Sequence, residues 1–158
     1  MDSSRTTGAL WTLNDLFGLA QPSEKAVDQL FNQAALLCCG GDGEVSEEEL
    51  RWLLGFAAAK GADEAELQRL QDMSKSIDIK LLSELEIPEG LKKALIYCAT
   101  KASSADGVYH VMEGEMIRRI ANRLGVSDYI VEQIEDLCKR EDELRLRRIQ
   151  LLAPEGLA

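Results

Sequence analysis

One histidine, three prolines and an aromatic content of 5% leave this 158-residue chain short of several residue types from which common folds and sites are assembled. Few aromatic and β-branched residues disfavour a β-sandwich or barrel, and no segment alternates apolar and polar residues as a half-buried strand does. No apolar run approaches the ~20 residues that span a bilayer. The opening MDSSRTTGALWTLNDLFGLA is too polar, and wrongly flanked, for a signal peptide, so a cytoplasmic location is expected. Basic residues are outnumbered, 18 against 28 acids, which gives a formal net charge of -10. Binding to nucleic acid by neutralising phosphates needs a basic face, and is excluded as an expectation.

Cysteine is present but not in a site-forming pattern. Cys38, Cys39, Cys98 and Cys138 show no C-x-x-C spacing and lie in apolar stretches such as ALLCCGG and ALIYCAT, where the thiol behaves as a small hydrophobe. A thiol enzyme pairing Cys98 with His110 would have to bridge twelve residues and a turn, without a resolving cysteine. Glu-x-x-His, the ligand motif of di-metal helical bundles, is absent from the sequence. Catalysis is therefore not expected.

What the chain has is helical periodicity and a 46% hydrophobic content, enough for one buried core. The spacing predicts an all-α bundle of about seven helices. A short helix near Trp11–Leu19 occupies an N-terminal segment, residues 1–21, and a single helical domain follows over 22–154. Within it, Pro22 and Ser23 open a helix reaching Cys39, where Gly40 and Gly41 stop it. Ser46 caps a helix from Glu47 to about Lys60, and Asp63 caps one from Glu64 to Ser74 that resumes after a break and runs to about Leu85. Pro88 opens a helix to about Lys101, Val111–Leu124 forms another, and Ser127 caps the last. Within that last segment KREDELRLRR holds five of the eighteen basic residues, and Glu132, Glu141, Asp142 and Glu143 offset them as a salt-bridged helix face.

Two short stretches interrupt the helices in the same way. GGDGEVSEEEL places Glu49 seven residues after Asp42, and SSADGVYHVMEGE places Glu113 seven after Asp106. A shift of 64 residues superposes Asp42 on Asp106, Gly43 on Gly107, Leu53 on Ile117, Ala57 on Ala121, Gly61 on Gly125 and Asp63 on Ser127. The domain thus reads as two repeats, about 23–86 and 88–152, packed around a pseudo-twofold axis that brings both acidic turns into play.

An EF-hand does not explain them. Counted from Asp42, position 6 is Glu47 rather than glycine and position 12 is Leu53; counted from Asp106, position 3 is Val108 and position 12 is Ile117. Two explanations stay open. Acids are favoured at helix N-termini, Asp-Gly is a turn dipeptide, and Ser46-x-x-Glu49 is a capping box. Glu113 follows His110 instead of a capping serine, and recurrence of the whole spacing points to a cation site formed by Asp42, Glu49, Asp106 and Glu113. His110 as an added ligand would favour a transition metal over calcium.

GDGEVSEEELRWLLGFAAAKGADEAEL and ADGVYHVMEGEMIRRIANRLGVSDYIVEQI resemble the two halves of the TerB-like tellurite-resistance family, whose helical domain is also similar to the N-terminal region of DjlA-type co-chaperones. The resemblance spans about Ser23 to Pro154. It implies a divalent cation held by Asp42, Glu49, Asp106 and Glu113, with protein partners in a stress response; the ion (calcium, magnesium, manganese or zinc) stays open, and a homodimer is a separate expectation. No J-domain His-Pro-Asp signature follows, so co-chaperone activity is not implied. A metal-free interaction scaffold is the alternative expectation.

Overall fold

A computed structural model describes residues 3–21, 23–105, 111–153 and 155–156. Seven α-helices account for most of them: α1 (Ser3–Phe17), α2 (Lys25–Cys39), α3 (Glu47–Ala59), α4 (Glu64–Ser74), α5 (Glu89–Ser103), α6 (Val111–Leu124) and α7 (Asp128–Leu152). No strand occurs among the described residues. The all-α expectation holds.

The repeat is visible in the helix starts. The 64-residue shift carries Lys25 onto Glu89, Glu47 onto Val111 and Glu64 onto Asp128, so α2, α3 and α4 recur as α5, α6 and α7. The equivalent helices α2 and α5 pack against each other at the centre of the molecule. Small buried residues on both, Ala34, Ala35 and Cys38 on one and Cys98, Ala99 and Ala102 on the other, allow close approach around Leu37, Leu95 and Ile96. Both second helices end alike. Ala62 N–H reaches back to Ala57 O (3.0 Å) and Val126 N–H to Ala121 O (2.8 Å), each across a glycine of positive φ, Gly61 at 99° and Gly125 at 76°. Only a residue without Cβ takes that conformation at little cost.

Four local expectations need correction. Helix α1 begins at Ser3 rather than near Trp11, and it docks on α3 through buried Ala9 and Leu13, with the Phe17 ring edge-on to Phe56 and Tyr97. The segment after α4 forms a 3₁₀ turn, Ile79–Glu84, capped by Asp78 and anchored by buried Leu82. Ser127 occupies the N-cap of α7 but makes no side-chain capping bond. Finally, two of the acids expected to balance basic neighbours on α7 pair instead with α5: Tyr97 Oη donates to Glu141 (2.8 Å), and Lys101 bonds Asp142. These bonds lash α7 to α5, and α7 then extends past them as an exposed end bearing Leu144, Leu146 and Leu151.

Candidate functional site

Asp42 lies in the turn between α2 and α3, where its Oδ1 accepts the Glu44 N–H (3.1 Å) and fixes the turn. Glu49 sits in the first turn of α3. Its carboxylate accepts the Ser46 N–H (2.8 Å), while Ser46 Oγ accepts the Glu49 N–H (3.2 Å), completing the capping box read from the sequence. Glu113 occupies the first turn of α6. Asp106 and His110 lie outside the described residues.

The packing of the two halves on each other brings the three described candidates to one place. Asp42, Glu49 and Glu113 line a cleft of about 270 Å³ together with Glu44 and Glu48, and no basic residue is among its described walls. Glu47, in the same helix turn as Glu48 and Glu49, does not line it. Partial burial raises the Glu49 carboxyl above its ordinary value, and the negative charges of Asp42 and Glu113 push it further in the same direction. Two hydrogen bonds from Ser46 oppose that shift without cancelling it.

Ser103, on the floor of this cleft, was missed from the sequence. Its side chain is 3% exposed and its Oγ has no hydrogen-bond partner among the described residues. The repeat could have flagged it, since the 64-residue shift places Ser103 on Cys39, the residue that ends α2. One half thus offers a hydroxyl where the other offers a thiol. Among the described residues no three acids, histidines or cysteines stand close enough to share one ion directly.

The four cysteines are buried and free. Burial pushes the Cys38, Cys98 and Cys138 thiols up to about 12 and raises Cys39 well above the ordinary thiol value, so all four stay protonated at neutral pH. This agrees with their reading as small core residues.

No described helix is long and apolar enough to cross a membrane. No family model and no curated protein matches the chain. Among solved structures, a tellurite resistance protein from Nostoc punctiforme is similar over 99% of this chain and 99% of its own, with a TM-score of 0.88 and 28% sequence identity. The resemblance to tellurite-resistance proteins read from the sequence is therefore matched at the level of the fold: the chain has the all-helical fold of that tellurite resistance protein.

Proposed function

We propose that the chain is a cytoplasmic accessory protein of the tellurite-resistance type, which binds a divalent cation at the acidic cleft and acts through protein partners. The observation that carries this reading is the convergence of five carboxylates, from both halves of the repeat, on one cleft whose described walls carry no positive charge. Mutual repulsion among such groups costs stability unless a cation offsets it. Asp42, Glu49 and Glu113 would hold the ion. The spacing of the described acids suits a cation that keeps part of its water shell, as magnesium does, and the Ser103 hydroxyl would accept or donate to such a water. Bound cation supplies charge neutralisation, and the chain's own residues supply the turn and helix start that it would tie together.

Thermal unfolding of chelator-stripped protein with added magnesium, calcium, manganese or zinc tests the proposal. At a cation concentration about a hundred times the dissociation constant, the native state gains roughly 2.7 kcal/mol. The Asp42→Asn, Glu113→Gln double variant should lose that gain while keeping the capping box. Protons compete for the same oxygens, so the cation effect should fade as pH drops through the raised Glu49 pKa. Without cation the sign reverses: the native state holds that proton more tightly than the unfolded chain, so Glu49 costs stability at neutral pH and the cost disappears on acidification.

A metal-free scaffold is the second reading, favoured by the complete capping box at Glu49 and the turn bond at Asp42. It requires that no cation shift the melting temperature.

A further inference from the structure

A second cleft, of about 520 Å³, shares no described residue with the acidic one. It opens between α1, α2 and the ends of α3 and α4, and its size is that of a small-molecule site. Of the five buried polar side chains in the protein's described part, three line it: Asn32, Lys60 and Glu66 at 6%, 7% and 4% exposure.

Lys60 is the unusual member. Its ammonium lies over the rings of Phe31 (4.4 Å) and Phe56 (5.1 Å), and its nearest acid oxygen, Asp28 Oδ1, is 3.8 Å away, beyond hydrogen-bond reach. Three N–H donors are thus held at the wall of a cleft with no described protein acceptor bonded to them. Asn32 likewise makes no side-chain hydrogen bond to a described residue, although its amide offers both donors and acceptors. Among the described residues only Ser103 Oγ is a fully enclosed side-chain polar atom without a partner, so Lys60 Nζ and the Asn32 amide keep contact with solvent in the cleft, which a ligand's polar atoms would replace.

The fold does not need them. The 64-residue shift places Asn32, Lys60 and Glu66 on Ile96, Leu124 and Ile130, and there the second repeat fills the same positions with aliphatic side chains. One half of the molecule is plugged and the other kept polar, on the same backbone plan. Among the described residues, charge around the polar half is balanced in pairs: Lys60 faces Asp28, Lys25 bonds Asp63 (2.9 Å), and Arg69 grips Glu66 through two bonds of 2.8 and 2.9 Å. A ligand of net charge would upset that balance, whereas a dipolar one would not. The Lys60 ammonium and the Asp28 carboxylate present opposite poles side by side, and a carboxylate and an ammonium separated by a single carbon can lie antiparallel to them.

We propose that this cleft binds a small zwitterion of the α-amino-acid class, its carboxylate received by Lys60 and Asn32 and its ammonium by Asp28. Ala9, Ala57 and Ala62 leave an apolar wall for a short side chain. Burial lowers the Lys60 pKa, and Asp28 opposes that shift; a bound carboxylate adds to the opposition and moves the lysine back towards its ordinary value.

The test follows the ¹³Cε resonance of Lys60 and the melting temperature as each protein amino acid, and separately acetate and methylamine as single-pole controls, is added at millimolar concentration. Expected is a saturable shift of Lys60 with one or more small amino acids and none with either control. Affinity should drop at least about tenfold in Lys60→Leu and in Asn32→Ile, each of which installs the residue its counterpart already uses. Two variants and a wild-type signal keep the test decisive should one variant fail to fold. No shift with any amino acid, an equal shift with acetate, or undiminished binding in the folded variants would overturn the proposal.

Discussion

The two halves of this protein follow one backbone plan and differ in what they place inside it. Helix starts recur at a fixed shift, and the second helix of each half ends on the same glycine-closed motif. Yet where the second half buries Ile96 and Leu124 in the core, the first half buries Asn32 and Lys60 beside an open cleft. The punctuation of a helical repeat therefore fixes its frame, and a few interior positions decide whether the frame closes on itself or opens.

Exchanging those interior residues gives the largest expected effects, and unequal ones. Leu124→Lys should cost about 3–5 kcal/mol, because it buries a charge with no acid opposite: the position equivalent to Asp28 holds Lys92. Adding Lys92→Asp rebuilds the pair found in the first half and should recover part of the loss, measured as a coupling energy in urea denaturation. The reverse exchange, Lys60→Leu, removes a buried ammonium and leaves unpaired an Asp28 side chain that is 24% exposed rather than fully buried, so a smaller change is expected. Its pH dependence is informative. Because the native Lys60 pKa is lowered, the folded chain loses that proton first, and wild-type stability should rise with pH as the ordinary lysine value of 10.5 is approached. Lys60→Leu should lack that rise.

Where the halves agree, matched changes should cost matched amounts. Gly61→Ala and Gly125→Ala each force a Cβ into the left-handed region at a helix end and should each lose about 1–2 kcal/mol. Space does not distinguish them: a Cβ at Gly61 meets Ala9 at an ordinary 3.5 Å, and one at Gly125 meets nothing. A loss confined to one half would mean that the shared motif serves only that half.

The same logic explains what was legible in the sequence. Helix ends were, because capping and glycine stops act over four or five residues: Ser46, Gly61, Asp63 and Gly125 all stand where their local chemistry puts them. The grouping of Asp42, Glu49 and Glu113 was also within reach, since it follows from the repeat once the two halves pack on each other. Long-range choices were not. Nothing local announces that Tyr97 and Lys101 will take Glu141 and Asp142, so the charged stretch of α7 read as self-contained. Lys60 read as the last residue of a helix, and only the arrival of Phe31, Phe56 and Asp28 from elsewhere turns it into the wall of a cleft. Ser103 read as part of the interruption beyond a helix ending near Lys101, whereas it ends α5 and lines the cleft with Glu113 and Met116.

The smallest effects separate position from bonding. Asp63 and Ser127 are equivalent N-caps, but Asp63 accepts the Glu66 N–H at 2.9 Å and also pairs with Lys25, whereas the Ser127 side chain makes no capping bond. Asp63→Ala should therefore cost about 1 kcal/mol, the ordinary value of a cap, with little added by the Lys25 pair because both partners are solvent-exposed. Ser127→Ala should change stability by less than about 0.5 kcal/mol, as a substitution that removes no bond does. Equal losses at the two positions, read from urea midpoints, would show that Ser127 caps α7 in solution.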